Sequence, residues 1–211
     1  MNVDESSLIH DTAEIEALYG TPLERSVRKQ LDHLDEHCRT FIARSPLLVI
    51  GTQGPAPDGV ADTSPRGDSP GFVRVADDHT LLIPDRRGNN RIDTLHNILR
   101  NPAVGLLFLI PGINETFRVN GDAVISRDPA LTESFAVDGK PPRTVLIVKV
   151  KEAYLHCSRA LVRSDLWNPA KFAVRDEVPS FGTMLAAHTQ GFVDAATLDE
   201  ENRVRVPLTL Y

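Results

Sequence analysis

From residue 46 to residue 156 the chain falls into short runs rich in Val, Ile, Leu and Thr, most of them closed by Gly, Pro, Asp or Asn. Runs of this length, bounded by the residues that turns require, read as strands. They cover residues 46–52, 60–64, 71–76, 80–84, 104–110, 116–126 and 143–156. Asp77-Asp78 makes a tight turn in one pair, and Pro111-Gly112-Ile113-Asn114 links another. The apolar spacing changes once: Ile92, Leu95, Ile98 and Leu99 recur at helical steps until Asn101-Pro102 stops them. That places one helix, over residues 90–100, among the strands. Six or seven short strands leave unpaired edges unless the sheet closes on itself. The expected fold is mainly β, a closed antiparallel barrel with flanking helices.

The flanks carry the helices. Leu23, Val27, Leu31, Leu34, Cys38, Phe41 and Ile42 follow the period of one helix face across residues 22–44, with Thr21-Pro22 at the start. After Cys157, helical pieces are expected at residues 158–164, 181–189 and 194–202, separated by Pro169 and Pro179. No repeat, low-complexity tract or interdomain linker interrupts the chain. The 211 residues therefore read as one domain: a helical segment (1–44), a barrel (45–156) and a helical tail (157–211).

Charge and composition exclude several function classes. A formal net charge of −6 argues against a nucleic-acid partner, which needs Lys and Arg spread over a whole face. The longest apolar run, residues 104–110, is far shorter than the ~20 residues that span a bilayer. The first ten residues lack the basic start and apolar run of a secretory signal, so a cytoplasmic protein is expected. Two cysteines, Cys38 and Cys157, are too few for a disulfide framework. His37-Cys38 and His156-Cys157 are zinc-ligand types, but a packed cysteine beside solvated histidines explains the first pair, and no metal is expected. No P-loop, Gly-x-Gly-x-x-Gly, nucleophile elbow or His-Glu-x-x-His helix occurs.

Two local patterns remain. The loop over residues 84–91 holds Arg86, Arg87 and Arg91 against Asp85 and runs into the mid-chain helix. Helix N-termini present unpaired N–H groups and partial positive charge, which suits a phosphate monoester. Gly88 permits close backbone approach, Asn89 and Asn90 offer amide hydrogens, and Arg91 offers a two-pronged guanidinium. The plainer account is that Asn90 caps the helix, with Asp93 as an imperfect capping box. Upstream, Asp62-Thr63-Ser64-Pro65-Arg66-Gly67-Asp68 ends a strand at a bend, where backbone groups can read the edges of a flat polar ring. A turn with a surface arginine also fits those residues.

The order of these parts resembles a known family. A strand and hairpin, a Ser-Pro strand, a hairpin strand, a Gly-Asn-Asn-Arg loop, and a helix ending in Asn101-Pro102 before residues 104–108 is similar to the pyridoxamine 5′-phosphate oxidase-related flavoproteins. The likeness spans residues 31–169. Within it, Ile110-Pro111-Gly112, Glu115-Thr116 and Arg118-Val119-Asn120-Gly121 resemble a subgroup of FMN-dependent enzymes. The resemblance implies an FMN-binding split barrel, Greek-key-like and antiparallel. It implies that Asn89, Asn90 and Arg91 hold the FMN phosphate, with Arg86 or Arg87 assisting, and that Ser64, Pro65 and Arg66 lie along the ring. Thr116 and Arg118, on one face by the two-residue period, are implied as further polar contacts.

It also implies a homodimer with FMN at the subunit interface, which Trp167 could reach, given the preference of interfaces for aromatic residues; ordinary packing accounts for Trp167 equally well. The founding oxidase binds pyridoxal phosphate with a basic pair and a nearby histidine close to its C-terminus. This tail reads Asn202-Arg203-Val204-Arg205-Val206-Pro207, so vitamin B6 oxidation is not expected. The expected function is an FMN-dependent oxidoreductase acting on a small molecule, in which the flavin does the electron transfer and the protein supplies binding and electrostatics. The alternative is a module that stores or senses FMN without turnover.

Overall fold

The computed structural model describes residues 2–54 and 59–211. Seven antiparallel strands form one sheet: β1 (Leu47–Gln53), β2 (Ala61–Gly67), β3 (Arg74–Asp77), β4 (Thr80–Asp85), β5 (Ala103–Leu109), β6 (Thr116–Ser126) and β7 (Thr144–His156), in the order β2-β1-β5-β6-β7-β4-β3. The helices are α1 (Thr12–Tyr19), α2 (Glu24–Arg28), α3 (Glu36–Arg44), α4 (Asp93–Arg100), α5 (Pro129–Glu133), α6 (Arg159–Ser164), α7 (Phe181–His188) and α8 (Ala195–Leu208). This is the split-barrel architecture with flanking helices.

The sheet does not close, which corrects the closed barrel expected from strand count. β2 and β3 are its two edges and pair only with β1 and β4. Part of the loop joining β1 to β2, residues 55–58, lies outside the described residues, so the breakers Pro55 and Pro57 are not placed. Alternation along the strands is clean. In β1 and β5, Leu48, Ile50, Leu106 and Phe108 are buried on the core face, while Leu47, Val49, Leu107 and Leu109 share the outer face. The core also takes Val119, Ala123, Val148 and Ala153 from the long β6–β7 pair, and Ile42 and Cys38 from α3.

The helix expected over residues 22–44 is broken. Leu31 leaves the helical path to pair with Ala153 of β7, exchanging two backbone hydrogen bonds of 3.0 and 2.8 Å. The Asp35 carboxylate then accepts from the Cys38 N–H (2.8 Å) and starts α3 afresh. Leu31 and Leu34 satisfy the helical period only because both face the core from different local structures.

Candidate functional site

A cavity of about 730 Å3 lies where the ends of β2 and β4 meet the start of β7 and the loop before α4. Its lining combines Pro65, Arg66 and Gly67 with residues 84–92, residues 140–144, Phe72, Leu95 and Tyr211. Residues 65–67 of the first sequence pattern, 62–68, and all of the second, 84–91, therefore share one concavity.

The loop before α4 is not built as a helix cap on Asn90. Asn90 adopts a left-handed backbone (φ 59°), which asparagine tolerates better than most residues. The Asn89 Oδ1 accepts from the Arg91 N–H (2.9 Å), and Ile92 occupies the cap position with no side-chain bond to offer. The first-turn N–H groups of α4 thus have no side-chain acceptor from the cap. Arg91 has its guanidinium on Asp93 (2.6 Å) while remaining 79% exposed. Gly88 lines the cavity, and a Cβ there would meet no protein atom within 4 Å. Packing does not require that glycine; its missing side chain leaves open space at the loop.

On the strand side, Pro65 and Arg66 line the cavity but Ser64 does not. The Ser64 Oγ accepts instead from the Thr94 hydroxyl (3.2 Å), which also lies 3.3 Å from the Asp62 carboxylate. Thr94 is buried in the first turn of α4, so these bonds fix β2 against the loop that precedes the helix. Ser64 is a positioning residue here.

Asp85 supplies the only side-chain carboxylate among the described lining residues. It stands directly opposite Thr144 across the β4–β7 ladder, with Arg66 Nε 3.6 Å away. Burial pushes its carboxyl above the ordinary range, opposed by the charges of Arg66 and Arg143. The Thr144 hydroxyl is buried without a hydrogen-bond partner among the described residues.

Arg86 is occupied by the fold. It bonds Asp68 through Nε (2.8 Å) and the Phe135 carbonyl through Nη1 (2.8 Å), and its guanidinium lies 5.2 Å from the centre of the Tyr211 ring. Tyr211 in turn donates to Asp68 (2.6 Å). Burial works against the Asp68 carboxylate, yet the Tyr211 hydroxyl, the Ser69 N–H and Arg86 together hold it below the usual carboxylate range. Of the arginines in this loop, Arg87 has no carboxylate within 4.0 Å among the described residues and is exposed to the cavity.

The structure separates Thr116, Arg118 and Trp167 from this cavity. Thr116 pairs with His156 and Arg118 with Tyr154, so all four side chains lie on the outer face of β6–β7. Arg118 donates to the Tyr154 hydroxyl (2.9 Å), and Lys29 lies over the same ring. The His156 Nε2 is buried without a partner among the described residues; burial, then Arg118 and Lys29, lower its pKa. Trp167 donates its indole N–H to the Ile113 carbonyl (2.9 Å), bracing the β5–β6 connection. Sequence reasoning missed Lys140, Arg143, Thr144 and Tyr211, which reach the cavity from 49 or more residues beyond the end of the 84–91 loop.

Fold and site define a split-barrel protein with a cationic cavity at one end of its sheet. The pyridoxamine 5′-phosphate oxidase family profile matches residues 34–157, more than half of the chain. The chain belongs to that family. Among solved structures it is similar to HupZ from Group A Streptococcus, with 19% identity, TM-score 0.47, and coverage of 56% of this chain and 90% of that one. It is similar to General Stress Protein 26 from Bacillus anthracis str. Sterne, with 20% identity, TM-score 0.41, and coverage of 55% and 88%. It is also similar to the FAD binding protein from Mycobacterium smegmatis, with 18% identity, TM-score 0.40, and coverage of 60% and 97%. No curated protein matches the chain. Among the described residues no helix is long and apolar enough to cross a membrane.

Proposed function

We propose that the chain is a flavin-dependent oxidoreductase that binds FMN in the cavity described above and acts on a small molecule. The observation that carries this reading is the convergence of Pro65 and Arg66 with Arg87, Asn89, Asn90 and Arg91 on one concavity. A phosphate monoester suits the second group: an arginine without a carboxylate partner among the described residues, two asparagine side chains, and a helix start with no capping side chain. The open space at Gly88 and the Thr144 hydroxyl, which has no partner among the described residues, fit a polar ligand that reaches the strand ends. Membership in a family named for an oxidase agrees with a redox cofactor there.

In this reading Arg87, Asn89, Asn90 and Arg91 hold the phosphate, and Pro65 and Arg66 lie along the ring. Bound flavin supplies hydride and electron transfer. Arg66 places positive charge where a reduced ring gains negative charge, and Asp85 at 3.6 Å tempers that effect.

Thr116, Arg118 and Trp167 enter this reading through a second copy of the chain. The outer face beside Arg118 carries Leu47, Val49, Leu107 and Leu109, only partly covered in one chain. A homodimer that buries this stripe brings the outer-face polar groups of one copy toward the cavity of the other. Leu107→Glu is expected to convert a dimer, measured by sedimentation, to a monomer and to lower retained flavin with it. A monomeric parent chain that holds flavin fully would sink the interface part.

The test of the whole proposal is the purified chain itself. Flavin absorbance is expected, with FMN as the species released on denaturation, and bleaching by a reductant followed by turnover on reoxidation. Bound flavin with no turnover across reductants and acceptors establishes the storage or sensing module instead. A colourless chain that cannot be loaded with FMN overturns both.

A further inference from the structure

Resting on the homodimer reading above, we propose that the arm formed by residues 2–30 is exchanged between two copies of the chain, with α1 of each copy docked on α6 of the other. The occupant of the exposed α6 face is thus a second copy of this chain.

Both segments lie outside residues 34–157, which the family profile matches. They are ordered without being buried. Every residue from 2 to 30 is exposed, and Gly182 is the only buried residue among those described from Cys157 to Tyr211. α1 nevertheless has a defined start and stop: the Asp11 carboxylate accepts from the Glu14 N–H (2.9 Å), and Gly20 ends the helix at a positive φ of 72°. Its eight residues are fewer than the ~12–15 that hold a helix by themselves in water, so its order has to come from packing. The chain as a whole exposes 14638 Å2, whereas a compact chain of 23.2 kDa exposes about 9,700 Å2. The excess of about 5,000 Å2 is ample for a permanent homodimer, whose interfaces run to roughly 2,000–5,000 Å2.

The two helices carry complementary faces. On α1, Ile15, Leu18 and Tyr19 make one apolar stripe at helical spacing, 44%, 69% and 79% exposed, and Glu14 and Glu16 flank it on either side. On α6, Arg159, Val162 and Arg163 fall on one face, with Val162 57% exposed between the two arginines. Among the described residues neither glutamate and neither arginine forms an ion pair. The bias extends along both segments. Residues 2–23 hold five acidic side chains and no Lys or Arg, while residues 158–175 hold Arg159, Arg163, Lys171 and Arg175 against Asp165 alone. Opposite charge around an apolar centre gives such a pair both attraction and register.

The root of the arm sets its direction. Leu31 pairs with Ala153 of β7, the Lys29 ammonium donates to the Leu155 carbonyl (2.7 Å), and Lys29 lies over the Tyr154 ring on the outer face. α6 begins at Arg159, just past the end of β7 at His156. Arm and receiving helix therefore both leave the sheet at the end of β7, beside the face assigned to the homodimer, yet both are bare in one chain. A two-fold axis through that face makes the exchange reciprocal, so each contact forms twice.

The experiment cross-links the full chain. Cys157 is exposed next to α6, whereas Cys38 is buried with its thiol pushed up to about 11, so a maleimide reads Cys157 alone. A copy carrying Leu18→Cys and Cys157→Ser is co-expressed with a differently tagged parent copy and treated with a short bis-maleimide. A covalent pair joining the two tags is expected. Glu14→Lys with Glu16→Lys in the first copy is expected to lower its yield about fivefold or more, and Arg159→Glu with Arg163→Glu in the second to restore it. Charge reversal without effect overturns the pairing of these faces. So does a chain bearing both thiols, Leu18→Cys beside native Cys157, that closes on itself instead of joining a second copy. If sedimentation shows a dimer in which no such link forms, the exchange is overturned and the sheet contact stands. A monomeric parent chain overturns both. None of these readouts uses flavin, so failure of the cofactor reading is seen separately.

Discussion

Replacing Gly121 with alanine is expected to destabilise the chain by about 3 kcal/mol or more, at or beyond the upper end of the usual cost of overpacking. In a chain of this size that lowers the melting temperature by about 6 to 12 °C. The cause is local. The β6–β7 register shifts between Asn120 and Gly121, because Glu152 pairs with Asn120 while Val150 pairs with Gly121, leaving Lys151 as the extra residue of a bulge. The bulge brings the Lys149 carbonyl against Gly121. A Cβ there would overlap the carbonyl oxygen, with the carbonyl carbon 2.9 Å and the Val148 Cγ1 3.2 Å away. The obstruction is mainly backbone in the longest strand pair, so no rotamer change relieves it. Gly88→Ala is the control, since its Cβ meets nothing within 4 Å, and its melting curve by circular dichroism is expected to overlay that of the parent. An unchanged melting temperature for Gly121→Ala would mean that the bulge can move and that the β6–β7 core is not rigid there.

Gly121 also marks what a sequence can and cannot reveal. Arg118-Val119-Asn120-Gly121 stands out as a motif, and each strand is legible because alternation of buried and exposed residues follows the pleat. The reason for the glycine is not legible, since it depends on a bulge in a partner strand some thirty residues away. The break at Leu31 fails for the same reason: periodicity records which side chains face the core, not whether the backbone bonds to itself or to β7. Strand count suggests closure, but closure is decided by whether β2 and β3 meet, and they do not.

In the site, Arg66, Arg87 and the Asn89–Arg91 run are readable because they sit in two compact patterns that share the cavity. Ser64 belongs to the same pattern and shares a strand face with Arg66, yet it serves Thr94 because it lies two residues earlier in β2, where the first turn of α4 packs. Lys140 and Arg143 carry a weak signal, Asp138-Gly139 before two prolines, which marks a stiff turn that presents cations. Tyr211 carries none, because its place against Arg86 and Asp68 is set by the path of α8.

Arg91→Ala is expected to lower FMN affinity by about 10- to 100-fold, the ~1.5–3 kcal/mol of a charge-assisted hydrogen bond, and to leave riboflavin affinity unchanged. Riboflavin lacks the phosphate, so the two ligands separate loss of the anion grip from a general change in the cavity. Arg100→Ala, at the far end of the same helix, is expected to move neither. Asp93 gives the prediction a sign. The Arg91 guanidinium is bonded to Asp93, so a phosphate must compete with that carboxylate for it. Asp93→Asn removes the competing charge and a like-charge neighbour of the incoming anion together, and is expected to raise FMN affinity by a few-fold. Fluorescence titration measures both variants against both ligands. If Arg91→Ala weakened FMN and riboflavin equally, the residue would be shaping the loop through Asn89 and Asp93 rather than meeting the phosphate. If Asp93→Asn lowered FMN affinity, the ion pair would be the feature that orients Arg91, and the phosphate grip would centre on Arg87 and Asn90.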